Sequence, residues 1–280
     1  MARPIRVQFS GATYHIMSRG NGRQNIFKDK KDYEKFLDVY EEVLKKYNII
    51  SYAYCLMPNH YHLFIETPDP NLSISMRQLN GKYTQAFNIR HKVLGHLFQG
   101  RYKSILVDMD NYAYEVIRYI VLNPVKAKMV KYPGQWKWSS HNEMTGKLKP
   151  TKCLDLKRAF KLYDNNQDKA KENYIKNINL KMEEDLLDKE LGNKTILGSI
   201  EFIDKIKKYF KQQSKSKEIP KIERFAHRPD LEEIFKGIKD KVGRNKNIYK
   251  AHWDYGYTLS EIGRALNIHY TTISKIVNKK

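Results

Sequence analysis

Cysteine, acidic residues and long apolar runs are scarce in this chain, and each scarcity removes a class of protein. Two cysteines, Cys55 and Cys153, in 280 residues are too few for a disulfide framework or a four-cysteine zinc site. Both are read as packing residues. No stretch approaches the ~18 consecutive apolar residues that a bilayer crossing needs, and Met1 to Arg6 lacks the apolar run of a secretory signal. The expected location is therefore the cytoplasm, without membrane contact. None of the glycine-rich phosphate loops is present, so no nucleotide cofactor is expected. Acids number 31 against 52 lysines and arginines, a net charge of +21. Spread along the chain and not gathered into one basic tail, that excess is the footprint of a protein that binds a phosphate backbone. A membrane-surface role would want a basic amphipathic helix with a strongly apolar face, and none stands out.

What is present is a folded protein: 41% of residues are apolar and 12% aromatic, including 20 tyrosines, well outside the composition of disordered chains. The length accommodates one sizeable core and a smaller domain. The expected division is a first domain over residues 1–150, a charged helical connector and linker over 151–220, and an all-α domain over 221–280.

The centre of the first domain is His60 to Thr67, which reads as a buried strand. Side chains alternate between faces along a strand, so His60 and His62 point one way and Tyr61 the other. Two imidazoles ~6 to 7 Å apart on so stiff a support make a two-nitrogen metal site, although histidines at this spacing are also ordinary sheet residues. Around this strand the pattern gives a first strand over Gln8 to Ser18, a helix over Asp32 to Tyr47, a strand over Ile49 to Leu56 and a turn at Met57-Pro58-Asn59. Beyond it lie a helix over Leu72 to His91 and a strand over Tyr102 to Met109. This succession is that of an α+β, ferredoxin-like antiparallel sheet with both helices on one face, its other face left free for the imidazoles. A further helix is expected from an Asp110 cap to about Leu122, stopping or kinking before Pro124. If helical geometry persists that far, Tyr119 and Asn123 share a face. A phenol can then attack while an amide oxygen completes a cation's coordination, although Tyr119 also fits as a core aromatic.

In the carboxy-terminal region Gln212 to Pro220 reads as a linker, and Leu231 to Val242 and Asn245 to Trp253 as helices. Leu259 to Ile276 has the spacing of a helix-turn-helix, with Gly263 where the helices touch, Asn267 in the turn and Ile262, Leu266, Ile268, Ile273 and Ile276 as the shared core. Tyr270, Thr271, Thr272 and Lys275 would face a DNA groove, although a plain helical hairpin has the same pattern.

Met57-Pro58-Asn59-His60-Tyr61-His62, Gln99-Gly100-Arg101-Tyr102-Lys103-Ser104 and Tyr119 to Ala127, in this order, resemble the HUH single-tyrosine transposases, and among them the REP-associated tyrosine transposases. The resemblance covers roughly residues 1 to 145. It implies that His60, His62 and Asn123 hold a Mg or Mn ion and that Tyr119 cuts single-stranded DNA near a hairpin or palindromic repeat through a 5′-phosphotyrosine link. The carboxy-terminal helices are similar to the DNA-binding domain of bacterial replication initiators. Arg19, Arg23, Arg101 and Lys103 are candidates to track the DNA backbone, and His15 and Glu66 are candidates for supporting or additional ligands. A homodimer is compatible with this reading. Two rivals remain: a DNA-binding regulator that kept the fold and lost cleavage, and a hydrolase whose histidine pair activates water.

Overall fold

The computed structural model describes residues 8–180, 195–214 and, within 230–278, all but 239, 254, 256 and 258. Strand β1 (Ala12–Arg19) begins after Gly11, whose φ of 76° and N–H bond to the Thr67 carbonyl turn the chain into the sheet. Glycine takes that conformation without strain, and the turn makes the strand start later than its composition suggests. In α1 (Lys30–Lys46) the Asp29 carboxylate accepts the N–H groups of Lys31 and Asp32, and Tyr33, Phe36, Tyr40, Val43 and Leu44 form the buried stripe. This pairs a side-chain cap with an amphipathic face. Strands β2 (Ile50–Met57) and β3 (His60–Thr67) form a hairpin across Pro58 and Asn59, followed by α2 (Leu72–His91) and β4 (Lys103–Val107).

The four strands pair antiparallel in the ferredoxin-like order β2-β3-β1-β4. A fifth, β5 (Ile196–Leu197), adds outside β4 in parallel. Helices α1 and α2 pack together on one face, where the Tyr61 ring lies 4.9 Å from that of Phe36 and its hydroxyl donates to Asn80 Oδ1.

The opposite face is not free, as the pattern suggested. Helix α3 (Met109–Lys126) lies across it against β2 and β3. Val116, Ile117, Ile120 and Val121, all fully buried, form a stripe that must be covered. The small Ala53 and Cys55, paired with Phe64 and His62, leave room for a helix. Asp108, not Asp110, precedes the first turn, its carboxylate accepting from Asn111 Nδ2 and the Ser199 N–H. The helix also runs on through Pro124. Proline there removes one N–H in the last turn, and burial of Val121, Leu122 and Pro124 holds the helical course.

Among the described residues four shorter helices follow, α4 (His141–Met144), α5 (Leu156–Lys161), α6 (Gln167–Asn179) and α7 (Ile200–Ser214). Ala159, Phe160, Tyr174, Ile178 and Ile206 belong to the same buried cluster as the sheet. The first core therefore runs past residue 150, where a connector was expected. Apolar side chains spaced along helices that look charged in sequence suffice to join it. Of the expected linker, 212–214 end α7 and the rest lies outside the described residues. Trp136 to Ser140 runs beside β2, with the Leu56 N–H on the Trp138 carbonyl at 2.8 Å and the Ser140 N–H on the Tyr54 carbonyl at 3.0 Å. Among the described residues no helix is long and apolar enough to cross a membrane.

A second buried cluster, built on Ile248, Ala251, Tyr257, Ile262, Ile273 and Val277, gathers the carboxy-terminal helices. These are α8 (Leu231–Phe235), α9 (Lys241–Trp253), α10 (Leu259–Leu266) and α11 (Tyr270–Asn278). The expected helix to Val242 is cut short because Gly237 sits at φ 76° and Asp240 Oδ1 then accepts from the N–H groups of Val242 and Gly243, starting a new helix. Asn267 takes the left-handed turn at φ 52°. A Cβ on Gly263 would stand 2.6 Å from the Ile268 carbonyl oxygen, closer than any real contact. Gly263→Val is therefore expected to cost about 1–3 kcal/mol through overpacking. Hydrogen exchange should quicken across α10 and α11 while the β-sheet amides keep their protection.

Candidate functional site

His62 is directed to the α3 face by the alternation of β3, and β1 presents His15 to the same face from the neighbouring strand. His62 and His15 are 2% and 0% exposed. Their rings stack at 5.2 Å with planes 21° apart, and His15 Nε2 lies 2.9 Å from His62 Nδ1. Helix α3 brings Tyr119 down edge-on to both, its ring centroid 5.6 Å from that of His15 and 5.8 Å from that of His62. His60, at the mouth of the strand, is 5.0 Å from His62 centroid to centroid. The continued helix places Asn123 one turn beyond Tyr119, its Nδ2 donating to the Tyr119 carbonyl at 2.8 Å.

Tyr119, Asn123, His60 and His62 line a single cleft of about 450 Å³ together with Arg19, Arg101 and Lys103. That volume falls within the range of small-ligand sites. Met17, Ser18 and Gln99 line it as well; Gln99 opens the second of the three motifs, while Met17 and Ser18 carry no signal in the sequence. Arg23, one of the expected backbone contacts, is not part of this lining; it lies in the loop after β1, at φ 61°. Glu66 is also elsewhere, its carboxylate receiving the Tyr52 hydroxyl at 2.5 Å, because it stands six residues up the strand from His60. Tyr270, Thr271, Thr272 and Lys275 sit exposed on α11, while Ile273 and Val277 on the same helix turn into the second core.

The hydrogen bonds around the imidazoles bear on metal binding. His60 Nδ1 is 2.6 Å from Asn59 Oδ1, and Asn59 Nδ2 donates to the Arg23 carbonyl. With its nitrogen so engaged, the Asn59 oxygen faces the ring, so His60 Nδ1 carries the proton and Nε2 keeps its lone pair. His62 Nε2 is buried with no hydrogen-bond partner. Unpaired buried nitrogens are costly, and a cation in the cleft would satisfy this one. Among the described residues no three His, Cys, Asp or Glu side chains converge as a metal site. His15 is not part of the cleft's lining and its Nε2 is engaged with His62 Nδ1, whereas the Asn123 amide does line the cleft. The residues fit a divalent cation bound by neutral groups with positions left open.

Burial is the main cause that lowers the affinity of these rings for protons. His15 is held at about 3, with the Lys103 charge adding to desolvation, and His60 at about 4, with Arg19 adding to it. His62 lies well below the ordinary value for the same first reason, followed by the charges of its two histidine neighbours. His141, on Tyr174 in the core, is at about 4. All four folded values lie below the unfolded 6.5, so their contribution to stability is complete above pH 6.5 and is lost as pH falls toward 4. Each neutral imidazole adds a slope of up to about 1.4 kcal/mol per pH unit within that window. Thermal denaturation should show Tm dropping steeply between pH 6.5 and 5, before most carboxylates titrate. A flat profile over that range would mean the rings are solvated.

Residues 8–123 match the family model described as "Transposase IS200 like". The chain is similar to a Haemophilus influenzae protein named "Putative REP-associated tyrosine transposase", at 26% identity over 128 residues, or 41% of this chain and 73% of that protein. A solved structure of a REP-associated tyrosine transposase bound to a REP hairpin aligns with a TM-score of 0.46 and 20% identity, covering 56% of this chain and 93% of that one.

Proposed function

From the match of residues 8–123 to the IS200-like transposases we propose that the protein is a member of that family, a metal-dependent single-stranded DNA endonuclease and strand transferase acting near a hairpin. The observation that carries the reading is the convergence of the Tyr119 phenol, the His60 and His62 imidazoles and the Asn123 amide on a cleft edged by cations. Tyr119 is the nucleophile. His60 and His62 through Nε2, and Asn123 through its amide oxygen, would hold Mg or Mn. When bound, such an ion supplies charge against the phosphate oxygens, an effect of several kcal/mol.

The chain's own residues do the rest. Arg19, Arg101 and Lys103 seat the DNA backbone, as charge-assisted donors do. The Tyr119 oxygen forms a bond to phosphorus as the P–O3′ bond breaks. The phenol gives up its proton and the leaving oxygen departs as a 3′-hydroxyl, so one phosphodiester is exchanged for another and no nucleotide is consumed. A phenol with a pKa of ~10 is ionised about one part in a thousand at pH 7, a deficit of ~4 kcal/mol. The Lys126 ammonium, 4.6 Å from the Tyr119 ring centroid, stands where it favours the developing phenolate. The reverse reaction, with a different 3′-hydroxyl, joins strands.

The association with REP sequences follows the name of the Haemophilus influenzae relative, the hairpin is what the motif resemblance implies, and the exposed row on α11 is proposed as a second DNA contact. A regulator without cleavage would not require a phenol set over two imidazoles. Purified protein given Mn and a single-stranded hairpin substrate should yield a species that keeps its oligonucleotide through a denaturing gel. Cleavage with no such species would replace this reading with water-activating hydrolysis.

A further inference from the structure

The contact between His15 and His62 poses a question of protons that the cleft chemistry depends on. One proton lies between His15 Nε2 and His62 Nδ1, 2.9 Å apart. A neutral imidazole has one N–H, so two arrangements exist. If His15 donates, His62 carries its proton on Nε2, inside the cleft, and cannot ligate. If His62 donates, its Nε2 presents a lone pair to the cleft. Both outer nitrogens, His15 Nδ1 and His62 Nε2, are buried without partners, so hydrogen bonds elsewhere do not decide the matter. The neighbouring ligand offers a parallel: His60 Nδ1 donates to Asn59 Oδ1 at 2.6 Å, which leaves its Nε2 as the ligating atom.

We propose that His15 is a positioning residue that accepts the His62 Nδ1 proton through Nε2 and so aims the His62 Nε2 lone pair at a divalent cation in the cleft. The proposal deepens, and rests on, the metal reading given above. Metal-ligating histidines commonly donate their other N–H to a carboxylate or carbonyl. A carboxylate in place of His15, at 0% exposure on the central strand β1, would bury an unpaired charge. An imidazole accepts the same proton while remaining neutral. The site then contains no anionic ligand, and the full charge of the cation remains for the phosphate oxygens of DNA.

The test uses the full-length protein, with long-range 1H–15N NMR of the metal-free imidazoles and calorimetric titration with Mn2+. Wild-type His62 should be protonated at Nδ1. His15→Leu removes the acceptor, and His15→Gln restores an amide oxygen at the reach of Nε2. Mn2+ affinity should fall about 10- to 100-fold in His15→Leu and recover most of that loss in His15→Gln, with His62 returning to the Nδ1–H form. Wild-type His62 protonated at Nε2 would overturn the proposal without any variant. Equal losses in Leu and Gln would reduce His15 to a packing residue and overturn it as well. If wild-type protein binds no Mn2+ while the tautomer follows residue 15 as described, the metal reading fails and the positioning of His62 stands.

Discussion

Tyr119→Phe is expected to eliminate the covalent protein–DNA species and to lower strand cutting by about 10³-fold or more, while hairpin binding in a gel shift stays within about twofold. Losing the proposed nucleophile removes the hydroxyl from which a phosphotyrosine link would form. The ring itself remains, with its edge-on packing against His15 and His62. A single hydroxyl changes stability by about 1 kcal/mol, so Tm should barely move. Arg19, Arg101 and Lys103, the proposed contacts to the DNA backbone, are untouched. An adduct that persists in this variant would transfer the nucleophile's role to another residue.

The second large effect separates the two imidazoles. His60→Ala and His62→Ala should each reduce cutting by about 10²- to 10³-fold, because each removes one of the proposed ligands of a cation whose clamping of phosphate would be worth several kcal/mol. Their stabilities should differ. His60 is at the mouth of the cleft, half-buried, and its loss leaves Asn59 able to turn to water. His62 is 2% exposed, and its loss opens a void and strands His15 Nε2, which adds about 1–3 kcal/mol of destabilisation. Chemical denaturation of the two variants beside wild type reads the contrast directly. Equal destabilisation would mean that the His15–His62 bond contributes nothing to the fold.

Much of the site could be read from local pattern, because its parts are local. The alternation in β3 puts His60 and His62 on one face, and the i, i+4 spacing joins Tyr119 to Asn123. The bounds of β3 and α2 coincide with their hydrophobic runs. What escaped the sequence is tertiary. Nothing in Met109 to Lys126 says that this helix closes the second face of the sheet, yet that placement is what brings Tyr119 to the imidazoles. Pro124 argues for a helix end, and packing overrules it within the last turn. β5 is two residues long, too short to show a period, and the helices after residue 150 hide their few core positions among charges. His15 resembles any buried strand histidine until β1 is paired with β3, when Met17 comes opposite His62 and His15 lies diagonally beside it.

The segment from Trp136 to Ser140 has a consequence for how copies of this protein can meet. It occupies backbone groups on the free side of β2, and at the other end of the sheet β5 offers only two residues. Among the described residues neither flank is a ready template for a strand from a second molecule, the usual route to runaway association of exposed β-structure. If two copies pair, the described sheet edges leave side-chain surfaces as the place where they would meet.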